Sequence, residues 1–469
     1  MAHPRTRILA AAFLLSAAVA GQAQAQTEAS AAAKDAPKIE PSRDLALPLY
    51  EIIGFDILVN RVNHCCGTDR GDYAVTLDSI RRNLHSSWTV DSDPFKVNQL
   101  GHPYQGSMYY GFARSAGFGF WESTGYALAG SALWEIAGEK TPPSRNDMVS
   151  TGIGGSLLGE SLFRMANLVL EKGGGMSPFW RETVAAAVSP SNAFNRFLGD
   201  RGPSTVFSSN GAEYYSRLQL GLMGTVQNQQ GNSTASVKNE VQADFALDYG
   251  MPGKEGYVYR RPFDYFAFQA TASSANLFES VMTRGLLFGR DYKAGPDYRG
   301  IWGLYGSYDY ISPQTFRISS TALSLGTTGQ WRHKDVVLQG TAMAGLGYAA
   351  VGTINSLAAG VDRDYHYGVA PQALLAGRAI FGDRSSLDLT LREYFVSDVG
   401  NRGGHDNIAR ADVAYTWRIK HQHAVTVKYL WNRRDANYPD IGNRGQARGT
   451  FGIFYTLLGT DHFGAVDWK

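Results

Sequence analysis

The sequence predicts an α+β protein: an N-terminal helical domain followed by a transmembrane antiparallel β-barrel of about 12 strands. Composition is the first of three observations behind this. The 469 residues include 53 glycines and 12% aromatics, but only 18% are charged, against roughly 25% in an average soluble domain. A disordered chain would be charge-rich and aromatic-poor. A helical membrane protein would show apolar runs of about 18 residues, and none occurs after the N-terminal segment. Lys+Arg 44 against Asp+Glu 42 gives no charge signature for nucleic acid. The second observation is strict alternation of polarity between Ala212 and Leu458. The third is an export signal at the start of the chain, which directs it to the cell envelope.

Residues 1–25 have the parts of a secretory signal peptide. Arg5 and Arg7 are basic, Ile8 to Ala20 is apolar, and Ala23-Gln24-Ala25 is a small-residue cleavage site. The apolar core is too short to span a bilayer. Residues 26–48, rich in Ala, Lys, Glu and Pro, read as a flexible lead-in to a helical domain at 49–205. Cys65 and Cys66 are the only cysteines, and being adjacent they cannot staple distant segments. In an oxidising compartment they either close as a vicinal ring or stay reduced and buried. A redox role would need an accessible thiolate of low pKa.

Helix punctuation marks the next region. Thr76–Leu84 and Trp121–Ala137 carry the helical period. Ser144-Arg-Asn-Asp147 has the form of a capping box and opens an apolar run to about Glu171. Ser177-Pro178 places a capping serine before a proline at the first helical position. Gly152, Gly155 and Gly159 line one face of the Ser144 helix, so another backbone can approach closely there.

From residue 212 the period changes to two, which sends successive side chains to opposite faces of a strand. Val241, Ala243, Phe245, Leu247 and Tyr249 alternate with Glu240, Gln242, Asp244, Ala246 and Asp248. Ala409 to Ile419 and Val425 to Trp431 repeat the pattern. Segments of ten to fourteen residues suit tilted membrane strands, which need about 9–11. They start near residues 213, 236, 262, 279, 298, 315, 335, 365, 385, 407, 422 and 444. Short breaks at Arg332–Lys334, Gly382–Arg384 and Lys420–Gln422 alternate with long loops at Gly352–Asp364, Asp398–Asp406 and Arg434–Asn443, as short inner turns and long outer loops do. Tyr257, Tyr259, Tyr265, Tyr292, Tyr298, Trp302, Tyr308 and Tyr310 are expected to form interface girdles. The polar face mixes charge signs, which suits salt-bridged filling or contacts with a plug better than a selective pore. Part of Tyr104–Glu171 is expected to close the periplasmic mouth or enter the lumen. Residues 459–469 form a tail beyond the last strand.

The stretch DPFKVNQLGHPYQGSMYY from Asp93 to Tyr110, the stretch GSALWE from Gly130 to Glu135, and the Gly138–Asp147 and Gly154–Glu160 segments resemble the bacterial family called domain of unknown function 3943. The resemblance covers roughly residues 45–200 and implies a signal peptide and a β-rich C-terminal half. It includes Tyr104, Gly106, Trp134, Ser144, Gly155, Gly159 and Glu160. His102, Glu135 and Asp147 ahead of a small-residue face are also similar in spacing to VanZ-like membrane helices, a likeness that implies no activity.

His102, Glu122, Glu135, Asp147 and Glu160 are the ionisable residues set most conspicuously among Gly, Ala and aromatics. A carboxylate orienting His102 as general base, with Ser107 as nucleophile, would make a hydrolase acting on lipid or peptidoglycan. One imidazole with several carboxylates is also a donor set for a divalent cation. The alternative is a structural polar core, with Asp147 in a helix cap and Glu160 paired to Arg164 at i, i+4. No cofactor motif, metalloprotease H-E-x-x-H or nucleophile elbow is present. The expected partners are outer-membrane lipid, the barrel-assembly machinery and a periplasmic protein, with no nucleic acid.

Overall fold

A computed structural model describes residues 44–67, 69–91, 93–173, 175–198, 206–230, 237–352, 365–399, 403–439, 442–460 and 462–468. The expected signal at 1–25 and the lead-in as far as residue 43 lie outside the described residues, as does most of the expected outer loop at 352–364. The described residues form two compact units. One lies within 44–171 and 182–207, the other within 172–181 and 208–468.

The first unit is helical: α1 (Ala46–Cys66), α2 (Leu77–His85), α3 (His102–Ser115), α4 (Phe120–Leu133), α5 (Arg145–Asp147), α6 (Gly155–Lys172), α7 (Pro178–Val188) and α8 (Pro190–Leu198). α1 therefore begins inside the stretch expected to be a flexible lead-in. Asp44 Oδ1 accepts from the Ala46 amide at 2.9 Å, and Pro48 sits in the first turn, where its missing N–H costs nothing. Thr76 caps α2 through a reciprocal bond with Ser79, and Ser144 caps α5 by accepting from the Asp147 amide at 3.3 Å. Cys65 and Cys66 at the end of α1 are joined as the vicinal ring, and both are exposed rather than buried.

Three π-helical turns interrupt this unit, at Val97–Gly101, Trp134–Gly138 and Met148–Gly154. The helix expected from Ser144 thus runs from α5 through a π turn into α6. Its glycine face makes the expected close approach. A Cβ on Gly106 of α3 would collide with the Thr151 carbonyl, one on Gly155 would meet the Gly106 backbone at 2.7 Å, and one on Gly159 would meet the Tyr110 ring at 2.9 Å.

The second unit is a closed barrel of twelve antiparallel strands, each paired with its sequence neighbours, with β12 returning to β1. The strands are β1 (Tyr214–Gln230), β2 (Asn239–Tyr249), β3 (Phe266–Ser273), β4 (Ser280–Lys293), β5 (Tyr298–Ile311), β6 (Arg317–His333), β7 (Val336–Gly352), β8 (Tyr365–Phe381), β9 (Ser385–Asp398), β10 (His405–Lys420), β11 (His423–Tyr438) and β12 (Gly442–Leu458). Alternation sets which side each residue faces. Leu325, Leu346, Trp417, Ile419 and Ile453 are exposed outward, while Gln219, Asp244, Thr426 and Thr456 are buried inward. At the tight turns Lys334 and His421 take left-handed backbone, with φ of 55° and 49°.

Two sequence readings of the barrel need correction. The long loop expected at Arg434–Asn443 is largely strand, because β11 and β12 stay paired from Arg434 with Gln446 to Tyr438 with Gly442. The expected aromatic girdle is also incomplete. Trp302 is exposed, but Tyr265, Tyr308 and Tyr310 are fully buried.

Candidate functional site

The first candidate site lies in the helical unit, where the three π turns deliver one expected residue each. His102 comes directly after the first, Glu135 lies in the second, and Asp147 immediately precedes the third. A π turn inserts an extra residue into the helical register and so re-aims the side chains beyond it. His102, Glu135 and Asp147 are 5%, 3% and 2% exposed. Glu135 Oε2 accepts from the Ser144 amide at 2.7 Å. Asp147 Oδ1 accepts from Asn146 Nδ2 at 3.0 Å, and Asn146 Oδ1 accepts from the Asp91 amide at 2.8 Å. The Trp134 indole donates to Glu139 Oε1 at 2.7 Å, and Thr141 Oγ1 donates to Oε2 at 3.0 Å.

Burial dominates the electrostatics here. It pushes the Glu135 carboxyl far up, and the charges of Asp147 and Glu139 add to the effect. Asp147 is raised by burial too, against the hydrogen bonds from Ser144 and Asn146. Glu139 is pushed up to about 7 by burial, with the charge of His102 pulling the other way. A carboxyl held protonated at neutral pH is an acid in waiting. His102 Nδ1 is buried with no hydrogen-bond partner. The arrangement therefore has proton donors and one uncommitted imidazole nitrogen, sealed among helices. Among the described residues no group of three or more His, Cys, Asp or Glu is placed to hold a metal ion.

The remaining expected residues lie apart from this cluster. Ser107 Oγ donates to the Tyr104 carbonyl at 2.6 Å, a local helix bond. Tyr104 itself is half exposed. Glu122 closes the start of its own helix by accepting from the Gly119 amide at 2.7 Å. Glu160, fully buried, accepts from Arg164 Nε at 2.7 Å, Arg114 Nε at 2.9 Å and the Tyr110 hydroxyl at 2.8 Å. Burial works to raise the Glu160 pKa, but the two arginines more than offset it and hold the carboxyl below its usual range. Sequence reasoning missed Glu139 and Asp91. Glu139 follows the second π turn in extended backbone, with φ of −130° and ψ of 157°, so helical spacing from Glu135 offered no signal for it.

The barrel interior is the second candidate. Most of its charges are matched: Asp388 lies 2.7 Å from Arg378 and 3.1 Å from Arg217, Asp412 3.0 Å from Lys428, Asp406 2.7 Å from Arg434, and Glu240 3.2 Å from Arg448. At the end away from the C-terminal tail, Ile311, Phe316, Ile318, Val351, Val396 and Ile408 form a fully buried apolar cluster. At the other end that tail folds into the lumen. Phe463 is fully buried against Tyr215, Val337, Ile380 and Leu458. Val466 exchanges two hydrogen bonds with Gln330, at 2.7 and 3.0 Å. The Gly464 carbonyl accepts from Gln339 at 2.6 Å, and the Arg418 guanidinium sits 4.7 Å over the Phe463 ring.

Residues 87–191 match the family model of domain of unknown function 3943, in keeping with the Asp93–Tyr110 and Gly130–Glu160 motifs. The segment contains all three π turns and the acid cluster. Among solved structures the chain is similar to the NanC porin, at 7% identity over 50% of this chain and 98% of that one, with a TM-score of 0.26. It is similar to a loop-deletion mutant of OmpT of Vibrio cholerae at 9% identity, over 54% and 100% of the two chains, with a TM-score of 0.22. For the outer-membrane channel DcaP of Acinetobacter baumannii the figures are 8%, 52%, 97% and 0.22. No curated protein matches the chain.

Proposed function

We propose that this chain is an outer-membrane anchor whose barrel is closed and whose working part is the helical domain, serving envelope structure or lipid handling. The observation that carries this reading is the occupied lumen. Both ends hold buried apolar clusters, and most of the charges between are paired with one another. The outward leucines and tryptophans suit a lipid surround. Because the tail already fills one lumen end, the helical domain takes the part of an adaptor rather than a plug. Its partners are outer-membrane lipid and a periplasmic protein, and the barrel-assembly machinery inserts it.

Planar-bilayer recording tests the closed barrel. The full chain should give no stable conductance, and deletion of residues 459–469 should produce channel openings. Steady porin-sized steps from the full chain would overturn the reading.

A second reading has one specific observation in its favour, the uncommitted Nδ1 of His102 in a cluster of carboxyls whose pKa burial raises. In that reading His102 is a general base in a hydrolase acting on lipid or peptidoglycan. Envelope lipid and peptidoglycan composition should then change on His102→Ala and on Glu135→Ala, with barrel assembly intact. If both variants match the parent, the enzyme reading fails.

A further inference from the structure

Between its two apolar ends the lumen keeps a cavity of about 100 Å³. Arg217, Arg284, Arg378 and Arg392 line it, together with Asp248 and Asp388. Three of the guanidiniums have carboxylates. Arg217 and Arg378 share Asp388, Arg378 also lies 3.2 Å from Asp248, and Arg392 is 3.6 Å from Asp309. Arg284 has none among the described residues, and its Nε is buried without a hydrogen-bond partner. A guanidinium cannot shed its proton inside a protein. Arg284 is half-buried, and a charge partly withdrawn from water without a counter-ion is unfavourable. Of the four arginines that line the cavity, Arg284 is the one without an ion pair among the described residues.

We propose that Arg284 is the anchor of a binding site for a small carboxylate or oxyanion inside the barrel. One bound anion gives Arg284 the counter-charge that the wall does not supply. A planar carboxylate or a phosphate oxygen pair matches the parallel N–H donors of a guanidinium. Thr328, Thr341 and Gln339, which line the same cavity, supply further polar contacts. The volume admits an ion of the size of formate or phosphate. The site belongs to the barrel alone and does not depend on the chemistry of the helical unit.

The test is equilibrium dialysis of the full chain, folded in detergent, against radiolabelled formate and, separately, inorganic phosphate. The wild type should take up one saturable equivalent of at least one of them. Arg284→Met should weaken that binding at least tenfold. Ala246→Leu, which fills the cavity and leaves every arginine in place, should do the same and serves if Arg284→Met does not fold. Uptake of formate alone assigns a carboxylate, and of phosphate alone an oxyanion. No saturable uptake of either anion, or wild-type binding in a folded variant, would overturn the proposal.

Discussion

In the barrel, Asp388 is held between Arg217 and Arg378 at 3.1 and 2.7 Å, whereas in the helical unit Glu135, Glu139 and Asp147 are largely buried with no Lys or Arg ion pair among the described residues. The two regions meet the cost of burying an acid in different ways. The barrel supplies a counter-charge. The helical cluster supplies amide and indole donors, which are too few to hold the charge, and the acid keeps its proton. Matched charges fill space and fix register. Protonated acids beside an imidazole are a reservoir that can move a proton. Within the helical unit, Glu160 with Arg114 and Arg164 follows the barrel's rule, so the contrast belongs to the sites and not to the fold class.

Breaking a matched site should have the largest effect. Asp388→Ala leaves Arg217 and Arg378 buried without their shared acid, and Glu160→Ala does the same to Arg114 and Arg164. Each should cost about 3–5 kcal/mol in denaturant unfolding, whereas Asp388→Asn and Glu160→Gln should lose less because the shape and some hydrogen bonds survive.

The unmatched cluster should respond in the opposite sense. The folded pKa of Glu139 is raised from 4.5 to about 7, so the folded state binds more protons across that interval. Stability therefore falls as pH rises from 4.5 to 7 and levels off above for this group. Glu139→Gln, which removes the titrating group, should flatten that slope. Asp56, raised from 3.8 to about 7 by burial, adds a slope of the same sign, which thermal melts of Asp56→Asn at several pH values would reveal.

Smaller effects separate packing from charge. Gly106→Val places a side chain on the Thr151 carbonyl and should cost about 1–3 kcal/mol with the pH slope unchanged. Ser144→Ala removes the cap of α5 for about 1 kcal/mol. It should alter the slope only slightly, because the Ser144 amide still donates to Glu135.

The barrel was legible because its signal has period two and recurs. The expected strand starts at 213, 279, 298, 335, 385 and 422 fall within one residue of the observed Tyr214, Ser280, Tyr298, Val336, Ser385 and His423. The helix starts capped by Thr76 and Ser144, and the one opening at Pro178 after Ser177, were equally readable. α1 was harder to see, because Leu49, Tyr50, Ile53 and Ile57 leave much of its surface apolar and exposed, so no clean polar face marks it. The tail has no period at all. Phe463 and Val466 are buried only because the lumen offers Arg418, Gln330 and Gln339 to receive them. In the acid cluster, residue type and apolar surroundings pointed to His102, Glu135 and Asp147. The π turns that gather them are a property of the backbone, which carries no sequence periodicity of its own. Ser107 looked suitable by proximity in sequence, yet its hydroxyl is engaged by its own helix.

The most direct measurement of this contrast is infrared difference spectroscopy of the full chain near neutral pH. The protonated-carboxyl C=O stretch should be present in the wild type, weaken in Glu135→Gln and in Asp147→Asn, and remain unchanged in Asp388→Asn. A wild-type spectrum without that band, or a band that disappears with Asp388 instead, would contradict the division between matched charges in the barrel and stored protons in the helices.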